Sequence, residues 1–357
     1  MSTVALAELK PALDLIARRV DEAIYGIRAF GSTPAWTGAV DAVLDISRAP
    51  KHLVRAQLVL IGGISGGGDI EDVRLQRFAV GVELLHLFLL IHDDVMDNAT
   101  QRRGKPALRV ALQRLDPSIA WQVARDLAIL MGNMLHVLAM RHLMPGAGRG
   151  ESTACTLMLD ALSHAGAGQF QDLLGWRKIG DDEAVLRRAL VDKTAYQAFA
   201  APFAAGIALV NPDLDLQPAI AWGCRLGLAF QVLDDVADLI APASVTGKDA
   251  LRDMLEGRPS LPLLMLHERA QGEERRLLES LVGHGILAQS ERAELYALVE
   301  KHQVVDACLD YVRREIEGSR ALLSPSWTER GRAGMEAVAL GLTDHLENLR
   351  AEAARGA

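Results

Sequence analysis

Aromatic side chains make up only 4% of this 357-residue chain. Strands usually draw on aromatic and β-branched residues, so this scarcity beside abundant Ala, Leu and Val points to packed helices and an all-α fold. No segment shows sustained apolar–polar alternation either. Cysteine is nearly absent: Cys155, Cys224 and Cys308 lie far apart and odd in number, with neither zinc-site spacing nor a disulfide framework, which suits a reducing cytoplasm. Basic residues are outnumbered, 38 Lys and Arg against 46 Asp and Glu, and the net charge of -8 repels a phosphate backbone. Nucleic acid is not expected as a partner, and any phosphate binding must come from a few locally placed basic residues. Long uninterrupted apolar runs are also missing. The most apolar stretch, 79–92, is too short to span a membrane and contains Glu83 and His86, so it is predicted to be a buried helix. The first 30 residues mix acids with apolar positions and read as an amphipathic helix rather than a leader.

Helical periodicity recurs along the chain, with breaks at 31–34, 62–69, 145–150, 180–182, 211–218, 241–247 and 324–325. These short, unevenly spaced interruptions resemble turns within a bundle, so residues 1–357 are expected to form one domain. The glycine cluster 62–68 is followed by no Gly-Lys-Ser/Thr and preceded by no strand, and it reads as a plain flexible loop rather than a phosphate loop.

Chemistry concentrates in two acidic clusters. Asp93-Asp94-Val95-Met96-Asp97 closes the apolar run 84–92, and Asp234-Asp235-Val236-Ala237-Asp238 closes a second one that starts at Gly227. Residues four apart share a helix face, so each first and last aspartate can point the same way from the mouth of an apolar helix. One such cluster is commonly a solvated helix face. Two of them, without a basic partner in the same turn, call for cations, and Mg2+ is the hard, oxygen-seeking ion that binds a few carboxylates together with substrate phosphates.

The run His92-Asp93-Asp94-Val95-Met96-Asp97-Asn98-Ala99-Thr100-Gln101-Arg102-Arg103-Gly104-Lys105-Pro106 resembles the first aspartate-rich motif of the trans-isoprenyl diphosphate synthases (polyprenyl synthetases), and Gly227 to Asp238 resembles the second. Gly168-Gln169 with Asp172, Lys193-Thr194-Ala195, Gly247-Lys248 and Glu256-Gly257-Arg258-Pro259-Ser260-Leu261-Pro262 stand where that family carries similar signatures, so the likeness spans roughly 51–266. It implies an isoprenoid-synthase fold, a single large bundle of ten or more helices around a central apolar cavity, and a homodimer. It also implies a transferase that condenses isopentenyl diphosphate with a C5 to C15 allylic diphosphate.

On that resemblance, Asp93, Asp94, Asp97, Asp234, Asp235 and Asp238 hold three Mg2+ ions on the allylic diphosphate. Arg102, Lys193, Lys248 and Arg258 grip the same diphosphate, while Thr194 and Gln231 stabilise the allylic cation left at its departure. Isopentenyl diphosphate falls to His86, Arg103, Lys51 and Arg55, although the sequence around Lys51 has one residue more between its basic groups than the family pattern. Phe88, with Leu89 and Leu85, sits where the family limits chain length, which implies a C20 product with C15 as runner-up. A class I terpene cyclase pairs one aspartate motif with an Asn/Ser/Glu triad that is missing here, and an inactive partner subunit tolerates a decayed motif, whereas both motifs are whole.

Overall fold

Leu-, Ala- and Val-rich segments at helical spacing bury one stripe each, and the computed structural model of the chain is helical almost throughout. It describes residues 7–49, 53–175, 183–240, 252–258, 260–284 and 288–356. In order the helices are α1 (Lys10–Gly26), α2 (Pro34–Arg48), α3 (Val54–Ser65), α4 (Val73–Met96), α5 (Leu108–Leu115), α6 (Trp121–Leu143), α7 (Arg149–Leu174) and α8 (Glu183–Leu190). A π-helix (Val191–Ala200) follows, then α9 (Ala201–Val210), α10 (Gln217–Ile240), α11 (Arg252–Glu256), α12 (Leu261–Arg269), α13 (Glu273–Leu281), α14 (Gln289–Lys301), α15 (Val304–Arg320) and α16 (Glu329–Gly356). The only strands among the described residues are β1 (Gln101–Arg102) and β2 (Lys105–Pro106), an antiparallel pair. The all-α expectation holds.

By internal contact the chain divides into two compact units, one of residues 3–155 with 205–214 and the other of 156–204 with 215–357. The first is built around α4. Its apolar residues cover the whole circumference rather than one stripe, and nearly every side chain from Leu75 to Leu87 is buried. The helix starts where the Asp72 side chain accepts a 2.8 Å bond from Arg74 N–H, an ordinary N-cap. Helix α6 packs along its length, and α3 and α1 cover other sides. α6 is also long and apolar enough to cross a membrane by length and composition, yet it carries Arg125, Asp126 and Arg141.

The glycine cluster departs in part from its reading as a loop: Gly66 and Gly67 form a turn and Gly68 follows outside the helix, as expected, but the residues before them do not. Gly62 and Gly63 lie inside α3, which ends only at Ser65. The physical reason is close packing: a Cβ on Gly63 would stand 2.3 Å from Leu75 Cδ1, and one on Gly206 would stand 2.1 Å from the Val59 carbonyl oxygen. Gly63 makes room for the Leu75 side chain, and Gly206 lets its helix approach the α3 backbone.

The second unit is organised around α10, which packs on the π-helix, α15 and α16. Its glycines do similar work, because a Cβ on Gly223 or Gly227 would meet the Ala200 or Ala195 Cα at 2.4 or 2.5 Å. Glu315, only 5% exposed, accepts bonds from Arg187 at 2.9 Å and Arg225 at 3.0 Å and so ties α8, α10 and α15 together. Gly206→Ala should overpack the α3 contact and lower stability by about 1–3 kcal/mol, seen as an earlier midpoint in urea denaturation.

Candidate functional site

Helix α4 delivers the first acidic motif at its last turn. Asp97 N–H closes the helix on the Asp93 carbonyl at 2.8 Å, and Ala99 N–H returns to the Asp94 carbonyl at 2.9 Å. The chain then enters the hairpin, in which Arg102 pairs with Lys105, leaving Arg103 and Gly104 as a two-residue turn. Both have positive φ, 53° and 73°, the requirement of the type I′ turn that matches strand twist. Arg103 therefore carries left-handed backbone strain that glycine would avoid.

The turn sends two adjacent guanidinium groups to different partners. Arg102 donates from Nε to Asp94 at 2.7 Å and from Nη2 to Asp93 at 3.0 Å. Arg103 Nη2 lies 3.0 Å from His86 Nε2. Burial pushes the Asp94 carboxyl above the usual carboxylate range; Arg102 opposes the push, and Asp93 and Asp97 add to it. Burial works against the charge of Arg102 as well, but Asp94 and Asp93 outweigh it and hold its pKa above the ordinary value. Three hard carboxylates within one helical turn, the middle one disfavoured as an anion, make a donor set that suits a hard divalent cation. Among the described residues no three His, Cys, Asp or Glu side chains are already gathered as a metal cage. A hard cation of this kind would take a few carboxylates and fill its remaining positions with other oxygens.

Around His86 the first unit collects further charge. Arg55, in the opening turn of α3, has its pKa pulled down to about 10 by burial, with Glu83 countering and Arg103 adding to the fall. Glu83 is 3% exposed and accepts a 3.1 Å bond from Ala56 N–H. Sequence reading marked Glu83 only as a charge inside an apolar run; its bond to α3 is a tertiary fact. Arg55 Nε and Arg103 Nη1 are buried without a hydrogen-bond partner among the described residues. Buried guanidinium nitrogens without a partner are costly, and these two lie on residues the sequence already singled out. Lys51 lies outside the described residues, as does Lys248.

In the second unit, α10 ends with Asp234, Asp235 and Asp238, and Gln231 donates from Nε2 to Asp235 at 2.8 Å. The glycine stripe of α10 brings it onto the π-helix that carries Lys193 and Thr194. Nothing in the periodicity distinguished this π-helix from an α-helix, yet such segments are frequent at functional sites. Lys193 Nζ sits 2.7 Å from Asp172 of α7, and Arg258 pairs with the same carboxylate and, at 2.6 Å, with Glu256. A buried Asp172 thus gathers two of the basic residues singled out from the sequence.

Phe88 faces α6. Its ring lies 4.6 Å from that of His92 and 5.0 Å from that of His136. Leu85 is buried, while Phe88 and Leu89 are half-buried. Gly132 makes room for His92, whose Cδ2 would lie 2.4 Å from any Cβ there, and burial lowers the His92 pKa. His136 is absent from the residues picked out by sequence, because nothing local relates positions 88 and 136.

Residues 42–299 match the family described as Polyprenyl synthetase. The chain belongs to that family. It is 30% identical over 278 residues to the short chain isoprenyl diphosphate synthase of Methanothermobacter thermautotrophicus, covering 74% of this chain and 81% of that protein. The geranylgeranyl diphosphate synthase of Saccharolobus solfataricus is 26% identical over 242 residues, 67% of this chain and 69% of its own. The fold matches the structure of a geranylgeranyl pyrophosphate synthase from Corynebacterium glutamicum, complexed with isoprenyl diphosphate and magnesium, with a TM-score of 0.83 at 20% identity over 94% of this chain and 99% of that one. As a polyprenyl synthetase the chain is an enzyme, a prenyltransferase that makes isoprenyl diphosphates.

Proposed function

We propose that the enzyme condenses isopentenyl diphosphate with a C5 to C15 allylic diphosphate and releases mainly the C20 product, geranylgeranyl diphosphate. The observation that carries this reading is the divergence of Arg102 and Arg103: one guanidinium rests on the first acidic motif and the next on His86, which provides neighbouring sites for two different diphosphates. Arg103, His86 and Arg55, with Lys51, hold isopentenyl diphosphate; the unpaired nitrogens of Arg55 and Arg103 await its oxygens. Lys193, Arg258, Arg102 and Lys248 hold the allylic diphosphate. Asp93, Asp94 and Asp97 with Asp234, Asp235 and Asp238 hold Mg2+, the metal named in the complex of the Corynebacterium protein, and the family resemblance alone gives three ions. The metal, when bound, neutralises charge building on the departing diphosphate.

The protein's own groups do the rest. Asp172 presents Lys193 and Arg258 from one anchor, so both cations reach a diphosphate together. Gln231 uses its amide nitrogen on Asp235, which leaves its oxygen, with the Thr194 hydroxyl, to face the allylic cation. The alkene of isopentenyl diphosphate attacks C1, and the proton lost in the elimination goes to the leaving diphosphate, so no protein base is required.

In this proposal the two units work as one catalytic domain in the cytoplasm, where the three free cysteines stay reduced. The enzyme pairs with a second copy of itself. Val123, Leu130, Val137 and Met144, each about half exposed, recur every seventh residue on or just past α6, an apolar stripe of the kind that packs helix against helix. Leu130→Asp should convert the dimer to monomer in sedimentation velocity; a variant that still dimerises like wild type places the interface elsewhere.

Purified protein given isopentenyl diphosphate and C5, C10 or C15 allylic diphosphates should form longer prenyl diphosphates with Mg2+ and none with EDTA. Turnover in EDTA, or none with Mg2+, rejects the assignment. Phe88→Ala should lengthen the product beyond C20, because removing the ring between His92 and His136 opens space about 7–8 Å down the helix from Asp93. Chromatography of dephosphorylated products reads this out, and an unchanged chain length in an active variant locates the floor elsewhere.

A further inference from the structure

A single stripe of α7 touches the start of the π-helix through residues spaced four apart. Asp172 holds Lys193 Nζ at 2.7 Å. One turn earlier, Gly168 leaves no space at all, since a Cβ there would lie 2.2 Å from the Lys193 backbone nitrogen. One turn earlier again, His164 Nδ1 lies 2.8 Å from Asp192 Oδ1, and its ring sits 4.5 Å from that of Tyr196. The other Asp192 oxygen accepts a 2.7 Å bond from Arg188 Nε. Asp192 is 9% exposed and directly precedes Lys193 and Thr194.

The mechanism above makes no use of His164 or Asp192, so the cluster needs its own account. A nucleophilic role fails: Cys224 stands nearby, but burial above all, with Asp192 adding, pushes its thiol up to about 11, and it stays protonated at neutral pH. A purely electrostatic tie through Arg188 is weak, because that side chain is 68% exposed and water screens the pair. His164 is 33% exposed and donates to a buried carboxylate, which can only accept, so the ring proton sits on Nδ1. A π-helix is an irregular winding that persists where neighbours over-determine it.

We propose that His164 is a positioning residue: its Nδ1–H bond to Asp192 locks the first turn of the π-helix and so aims Lys193 and Thr194 at the allylic diphosphate and its cation. This rests on the reading of Lys193 and Thr194 given under the proposed function. His164→Phe keeps the ring and removes the donor, and in the full-length enzyme with Mg2+ it should lower kcat about tenfold and raise the allylic KM, with the isopentenyl KM within about twofold and the thermal midpoint little changed. His164→Asn, whose amide N–H can take the place of Nδ1–H, should recover most of the loss. A folded His164→Phe enzyme with wild-type kcat and allylic KM overturns the tether, as does a His164→Asn enzyme no faster than His164→Phe. If His164→Phe does not fold, Asp192→Ala, which removes the acceptor, replaces it under the same criterion for kcat and allylic KM. Lys193→Ala and Thr194→Ala run in the same assay separate the two levels: unchanged allylic kinetics in these variants reject the underlying reading, whereas their impairment beside a normal His164→Phe enzyme rejects only the tether.

Discussion

Carboxylates at the end of a buried apolar helix are the constraint on which the first unit depends. α4 must be apolar all round to fill the core, yet it ends in Asp93, Asp94 and Asp97, and a buried carboxylate without a counter-charge is expensive. The hairpin answers that demand. Its left-handed turn places Arg102 back on Asp93 and Asp94, and the same backbone geometry carries Arg103 to His86. The separation of two neighbouring arginines is thus a by-product of how one of them neutralises the helix end.

The pattern repeats for the described arginine and lysine side chains assigned to phosphate. Arg102 rests on Asp93 and Asp94, Lys193 and Arg258 on Asp172, and Arg55 and Arg103 lie within reach of Glu83. Positive charge collected away from water is costly by itself, and the internal carboxylates offset that cost and hold these side chains in place. Preorganisation and stability are served by the same contacts.

Glycine plays the complementary part. Gly168, Gly206, Gly223 and Gly227 stand where backbones come so close that a methyl group would collide with main-chain atoms. In the second unit that closeness presses α7 and α10 onto the π-helix, and the departure from α-helical winding falls at the segment that carries Lys193 and Thr194. A rigid pair of helices on either side is what such winding requires.

The amino-acid sequence by itself determined the class of fold and the turns near 31–34, 145–150, 211–218 and 324–325, and it offered the candidate residues of the site. Apolar periodicity, the aspartate pairs at apolar helix ends and the basic motifs are local patterns that survive without coordinates. It misjudged Gly62 and Gly63 as loop, because the role of Gly63 is read only from Leu75, twelve residues on, and it did not distinguish the π-helix from an α-helix, because ten residues are too few turns for the two periods to separate. Glu83, His136 and the His164–Asp192 bond likewise came only with the tertiary structure. Their partners lie 27, 48 and 28 residues away, and the meaning of a buried polar group is set by the partner that satisfies it, which chain folding alone brings near.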